Sequence, residues 1–277
     1  MIKHILIPQD GSDHSSAALD YGVWLARRTE AKITGLYVVD IVTLEGPLLH
    51  DISGSLGFEP YLNFSTKMRE VLEARGEDIL NGFVERCEKE GIGHECSLAS
   101  GVVVSEISER AKVADLVIMG RFGVNVEFEY GLLGSTTEGV IRRASRPVLV
   151  VPDRFSEPAR PLLAYDGGAT AAKSMHSAAE LVKTLGLPLT VLAVAGGEEG
   201  DRLLSEAEEY LKPYGVEAEY KSREGAAYRE IVSCYKEGGH DILFMGVSHH
   251  SRIVEMVLGS TTEHVVRAVE GPVFLER

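Results

Sequence analysis

The apolar residues of this chain come in two kinds of segment that alternate from end to end. Short β-branched runs are separated by longer stretches in which apolar positions recur every three to four residues. Runs such as Ile5-Leu6-Ile7, Leu116-Val117-Ile118-Met119 and Val148-Leu149-Val150-Val151 are apolar throughout and too short for helices, as strands covered on both faces are. The pattern predicts strands near 2–8, 33–39, 94–99, 115–119 and 147–151, with helices near 13–30, 61–90, 103–113 and 135–145. A second series follows, with strands near 161–166, 189–194, 216–221, 241–245 and 272–276 and helices near 170–185, 199–213, 226–237 and 260–269. Such alternation is the signature of βαβ units on a parallel sheet, so the fold class is α/β.

The two series are copies of one another. Gly134-Ser135-Thr136-Thr137-Glu138 recurs as Gly259-Ser260-Thr261-Thr262-Glu263, and Asp115 to Gly120 recurs as Asp241 to Gly246. The opening Ile5 to Gly11 is matched by Leu162 to Gly167. A period of this length means two copies of one α/β unit. The predicted domains are 1–152 and 161–277, joined by a Pro-rich, charged linker at 153–160. The second copy is shorter by about 30 residues, a deficit that falls between roughly 41 and 75 by the offset of the repeats. Residues 41–60, rich in Gly and Pro, read as a surface loop.

Charge and cysteine content narrow the function classes. At 277 residues and a formal net charge of −14, the chain lacks the basic surface that nonspecific nucleic-acid or anionic-membrane binding requires. No apolar run approaches the length of a bilayer span, and the amino terminus runs into a strand without an apolar leader segment. Cys87, Cys96 and Cys234 form no CxxC pair, which suits a reducing, cytoplasmic compartment. A zinc site from Cys234 and His240 lacks a second ligand pair at the usual spacing, so no metal site is expected.

In open parallel sheets ligands settle at the carboxyl ends of strands where the winding reverses. Asp10 and Gly120 end the first and fourth strands of copy one, and Asp166 and Gly246 do so in copy two. Gly120-Arg121-Phe122-Gly123, ten further residues and then Gly134-Ser135-Thr136 have a logic for phosphate. Glycines permit close backbone approach, and a helix start offers unpaired N–H groups at the positive end of its dipole. An Asp at a strand end accepts hydrogen bonds from ribose or an adenine amino group. Capping explains part of the pattern equally well, because Asp10-Gly11-Ser12-Asp13 and Gly-Ser-Thr-Thr-Glu are both good helix starts.

The pattern Gly-x2-Gly-x9-Gly-Ser/Thr after a fourth strand resembles the ATP-binding subclass of universal stress proteins. The likeness spans nearly the whole chain, including a second strand of the Tyr37-Val38-Val39-Asp40 type and the closing Pro147-Val148 and Pro272-Val273. The resemblance implies two tandem Rossmann-like domains of the adenine nucleotide alpha hydrolase-like kind, each a five-stranded parallel sheet of order 3-2-1-4-5. It implies ATP, ADP or AMP in the crevice, with or without Mg²⁺, and pairing through the fifth strand, either within the chain as a pseudo-dimer or between chains as a homodimer. Carried onto this sequence, Pro8, Gln9 and Asp10 would border the nucleoside and Val38 the adenine. Met119, Gly120, Arg121, Gly123, Gly134, Ser135 and Thr136 would enclose ribose and phosphates. The counterparts are Asp166, Val194, Met245, Gly246, Ser248, Gly259, Ser260 and Thr261.

Each copy departs from the family pattern. Copy one has ten residues where nine are usual, and Glu127 and Glu129 in that loop would oppose a polyphosphate unless they face solvent or bind a cation. Copy two keeps nine but has His249 in place of the second glycine. No Walker sequence is present, and neither glycine loop contains a lysine to neutralise a transferring phosphoryl group. The reading is therefore a nucleotide-dependent regulator in stress response, with slow ATP hydrolysis at most. A scaffold of the same fold that binds no nucleotide is the alternative. The Ser-Gly-Gly-x-Asp-Ser loop of adenylating ATP pyrophosphatases is matched poorly by Asp10-Gly11-Ser12-Asp13.

Overall fold

The computed structural model describes residues 1–42, 61–124, 133–247 and 259–277, with the backbone alone at 61–65. Its elements are β1 (His4–Pro8), α1 (Asp13–Thr29), β2 (Lys32–Asp40), α2 (Tyr61–Glu90), β3 (His94–Gly101), α3 (Val103–Ala111), β4 (Leu116–Gly120), α4 (Ser135–Arg143) and β5 (Val148–Val151). The second half comprises β6 (Pro161–Ala164), α5 (Ala169–Leu185), β7 (Leu189–Val194), α6 (Gly197–Leu211), β8 (Ala218–Arg223), α7 (Ala227–Glu237), β9 (Ile242–Gly246), α8 (Ser260–Ala268) and β10 (Val273–Glu276). Most of the predicted 41–60 loop lies outside the described residues.

All ten strands join in one sheet of order β3-β2-β1-β4-β5-β10-β9-β6-β7-β8. Within each half the order is 3-2-1-4-5 and every pairing is parallel, as the family resemblance implied. The halves meet at β5 and β10, which run antiparallel with Val150 opposite Val273 and Val148 opposite Leu275. The continuous apolar runs are explained by two cores, one on each face of the sheet. One contains Ile5, Ile7, Ile118, Phe244 and Phe274, and the other Leu6, Val117, Val140, Leu243 and Val273. Both cores cross the seam, so the halves share their buried surface.

Residues 153–160 are pinned and not slack. Phe155 packs edge-on against Tyr21 at 4.8 Å, the Ser156 amide donates to the Tyr21 hydroxyl, and the amides of Ala159 and Arg160 donate to the Asp241 carboxylate.

Several predicted boundaries shift for local reasons. Helix α6 stops at Leu211 because Pro213 forces a 3₁₀ turn over Lys212–Tyr214. Gly215 closes that turn at φ 68°, which delays β8 to Ala218. Helix α4 ends at Arg143, since Ala144 is already extended ahead of Pro147.

Candidate functional site

The crevice of the first half forms where β1 and β4 lie side by side and their connections leave in opposite directions. Asp10 follows β1 and Gly120 ends β4, so the topology brings the two together at one sheet end. A cavity of about 340 Å³ opens there. Of the eleven residues expected at this site in copy one, ten line it: Pro8, Gln9, Asp10, Val38, Met119, Gly120, Gly123, Gly134, Ser135 and Thr136.

The Asp10 carboxylate is held by its own turn and by the glycine loop. Its Oδ1 accepts from the Ser12 amide at 2.9 Å and the Ser12 hydroxyl at 2.6 Å, while Oδ2 accepts from the Val124 amide at 3.1 Å. The cap of α1 comes from Ser12, whose hydroxyl accepts from the Ser15 amide. Capping and the strand-end aspartate are thus separate jobs on neighbouring residues. Gly11, at φ 82°, makes the turn between them.

Gly120 is buried against α1, where a Cβ would fall 2.5 Å from the His14 Cβ and 3.0 Å from its carbonyl carbon. Its carbonyl accepts from the buried Thr137 hydroxyl at 2.8 Å, which ties the end of β4 to the first turn of α4. Among the described residues, a Cβ on Gly123 would meet only the Asp10 carboxylate, at 2.8 Å from Oδ2. Gly123 lines the cavity. Gly134 stands at the start of α4, and Gly134, Ser135 and Thr136 of that helix start line the crevice.

Arg121 departs from expectation. Its amide donates to the Val151 carbonyl, but its guanidinium leaves the crevice and donates to the carbonyls of Val269 and Gly271 in the second half, at 2.9 and 3.2 Å. Burial pulls its pKa down, with Tyr235 and Asp153 nearby favouring the charge. Sequence spacing placed the residue in the loop, and only the packing of the two halves decides where the side chain goes.

The structure adds lining residues that the motif did not name. Tyr37, Asp40, Leu72, Arg75 and Phe122 all face the cavity. Arg75 reaches the Asp10 carbonyl from α2 at 3.4 Å. Burial pushes the Tyr37 phenol up, and Arg75 acts in the opposite sense. Asp40 ends β2, a strand already recognisable in the sequence. Leu72 and Arg75 had no such signal, because they lie at the end of the stretch in which the second copy is shorter.

In the second half, Asp166 Oδ1 accepts from the Gly168 amide and Gly167 adopts φ 74°, repeating the Asp10 turn. Val194 is half-buried and Met245 is buried. Gly246 lies against Thr170 and Ala171 as Gly120 lies against His14. Gly259 starts α8 at φ −55° and ψ 138°, close to the −57° and 138° of Gly134, with Ser260 and Thr261 following. Tyr165, in the place of Gln9, donates from its hydroxyl to Glu206 at 2.6 Å, and burial drives its pKa upward. Ser248, His249, His250, Glu127 and Glu129 lie outside the described residues. His240 Nδ1 lies 3.1 Å from the Arg160 carbonyl and Cys234 is buried; among the described residues no three His, Cys, Asp or Glu side chains gather around one point.

The fold and this crevice define a tandem Rossmann-like α/β protein whose two halves each carry a glycine-lined strand end. The model of the universal stress protein family matches residues 1–152 and 195–277. The chain belongs to that family. It is 28% identical to Universal stress protein Slr1230 of Synechocystis sp. over 100% of both chains. It is also 35% identical to Universal stress protein MJ0531 of Methanocaldococcus jannaschii across 54% of this chain and 82% of the other. Among solved structures, a universal stress protein from Archaeoglobus fulgidus covers 99% of this chain and 98% of its own at a TM-score of 0.79 and 25% identity. Residues 153–194, between the two family matches, carry β6, α5 and β7, the counterparts of β1, α1 and β2. Among the described residues no helix is long and apolar enough to cross a membrane.

Proposed function

We propose that the chain binds ATP or another adenine nucleotide in the first-half crevice and acts as a nucleotide-dependent regulator. The observation that carries this reading is the convergence of ten residues of the family pattern on one cavity of about 340 Å³ at the β1/β4 switch point. Adenine would lie against Val38, the ribose hydroxyls would donate to Asp10, and the phosphates would approach Gly120, Gly123 and the α4 amides. Glycine at 120 and 123 supports this arrangement, since a side chain at either would fill the approach or press on its wall.

The residues present fit an adenine nucleotide; a protein-held metal fits less well. Asp10 is already engaged by Ser12 and Val124, so Mg²⁺ would travel with the phosphates and water. The domain division follows as 1–152, a pinned linker at 153–160 and 161–277. Pairing of β5 with β10 supports a pseudo-dimer formed within one chain. A reducing, cytoplasmic setting agrees with three free cysteines, two of them buried.

Protein purified without added ligand and then denatured tests the reading by its nucleotide content. Release of adenine nucleotide in a fixed ratio to protein supports it. Absence of nucleotide, together with no uptake on dialysis against ATP or AMP, favours a scaffold of the same fold.

A further inference from the structure

We propose that Arg75 selects for the phosphates of the nucleotide in the first-half crevice and that its counterpart, Glu199, turns polyphosphate away from the second. Each chain then holds one nucleotide. The inference rests on the nucleotide-binding reading above.

The two residues correspond by packing. The offset between the halves is 156 at Gly11 and Gly167. It falls to 124 after the missing segment, where the side chain of Glu106 lies against Gly101 and that of Glu230 against Gly225 in the same way. The helices obey the same offset. Ile79 of α2 lies against Gly11, and Leu203 of α6 lies against Gly167. One turn earlier, Gly76 and Gly200 are both buried close to the second strand of their halves or the residue that follows it. A size exchange completes the match: Phe83 packs on Gly35 in the first half, and the corresponding buried pair is Ala207 and Val191. Arg75 therefore corresponds to Glu199.

Arg75 is the one cationic side chain among the described residues lining the first cavity, which also contains Asp10 and Asp40. Without it, that wall would present only negative charge to an anionic ligand. In the second half the first turn of α6 brings Glu198 and Glu199, both exposed, and Glu224 folds over Gly196. At corresponding positions of the matching helices, Arg75 and Glu199, the two halves carry opposite charge. Like charge at such a mouth raises the cost of bringing a polyphosphate in, while an uncharged nucleoside is indifferent to it.

The full chain is titrated with ATP and, separately, with adenosine, comparing the natural sequence with Arg75→Glu. The expected result is one ATP per chain. Reversing the charge should weaken ATP by at least about thirtyfold, the scale of two unit charges at a solvent-exposed mouth, and change adenosine by less than about threefold. Arg75 is exposed and makes one long contact to a backbone carbonyl, so an unchanged melting temperature should accompany the variant. Two ATP sites of comparable affinity, an unaltered ATP affinity in Arg75→Glu, or equal losses for ATP and adenosine would each overturn the proposal. Failure of the natural protein to bind either ligand rejects the nucleotide reading itself and the inference with it.

Discussion

Arg121 begins in the glycine loop of one half and ends on the other, its guanidinium donating to the carbonyl of Val269 at 2.9 Å. Val269 is the residue that closes α8, and the first turn of α8 belongs to the second glycine motif. The counterpart of Arg121 is Val247, a buried apolar residue, so the contact has no mirror image across the seam. Two repeated halves have been joined by an unrepeated bond.

Removing that bond should loosen the chain as a whole. Arg121→Ala leaves the Val269 and Gly271 carbonyls without their donor in a half-buried position, at a cost of about 2 kcal/mol. Equilibrium denaturation in urea checks this, and a loss below about 0.5 kcal/mol would mean that water replaces the guanidinium without penalty.

The two glycines of the loop should respond differently to a side chain. At Gly120 a Cβ collides with the backbone and Cβ of His14, so Gly120→Ala should lower stability by about 1–3 kcal/mol. At Gly123 the added atoms enter the cavity, so Gly123→Leu should keep the fold and weaken nucleotide binding by at least about tenfold. Melting curves and binding titrations on both variants separate the effects. Equal behaviour of the two would contradict the geometry.

Alkaline pH should unfold the protein partly through Tyr235. Burial pushes its phenol up to about 12 from 10.0, while its hydrogen bond from the Gly271 amide acts in the opposite sense. Above pH 10 the unfolded chain releases the proton and the folded chain keeps it, so the unfolded state binds fewer protons and stability falls as pH rises. The contribution is whole below pH 10, declines between 10 and 12 and amounts to about 2–3 kcal/mol. Stability measured across that range should slope less steeply in Tyr235→Phe than in the natural protein.

Much of this was legible in the sequence because it was written twice. The repeated Gly-Ser-Thr-Thr-Glu segments mark the starts of α4 and α8, and both halves have the expected strand order. The apolar runs told strands apart from helices because both sheet faces are covered. What was not legible depends on packing between distant segments. Arg75 reaches the crevice from a helix whose first turns belong to the stretch the second copy lacks, and nothing in the local pattern of α2 sets it apart from its other charged residues. Arg121 sits at a motif position, yet its side chain answers to carbonyls nearly 150 residues away. Tyr165 reads as a strand-end aromatic until Glu206 is seen beside its hydroxyl.

Calorimetric titration of the full chain with ATP is the most direct test of the central claim, that the Asp10–Gly120–Gly134 crevice holds an adenine nucleotide. The account predicts saturable binding that Gly123→Leu weakens while the melting temperature of the unliganded protein stays the same. No binding at millimolar ATP or AMP, or binding that Gly123→Leu leaves untouched, would contradict it.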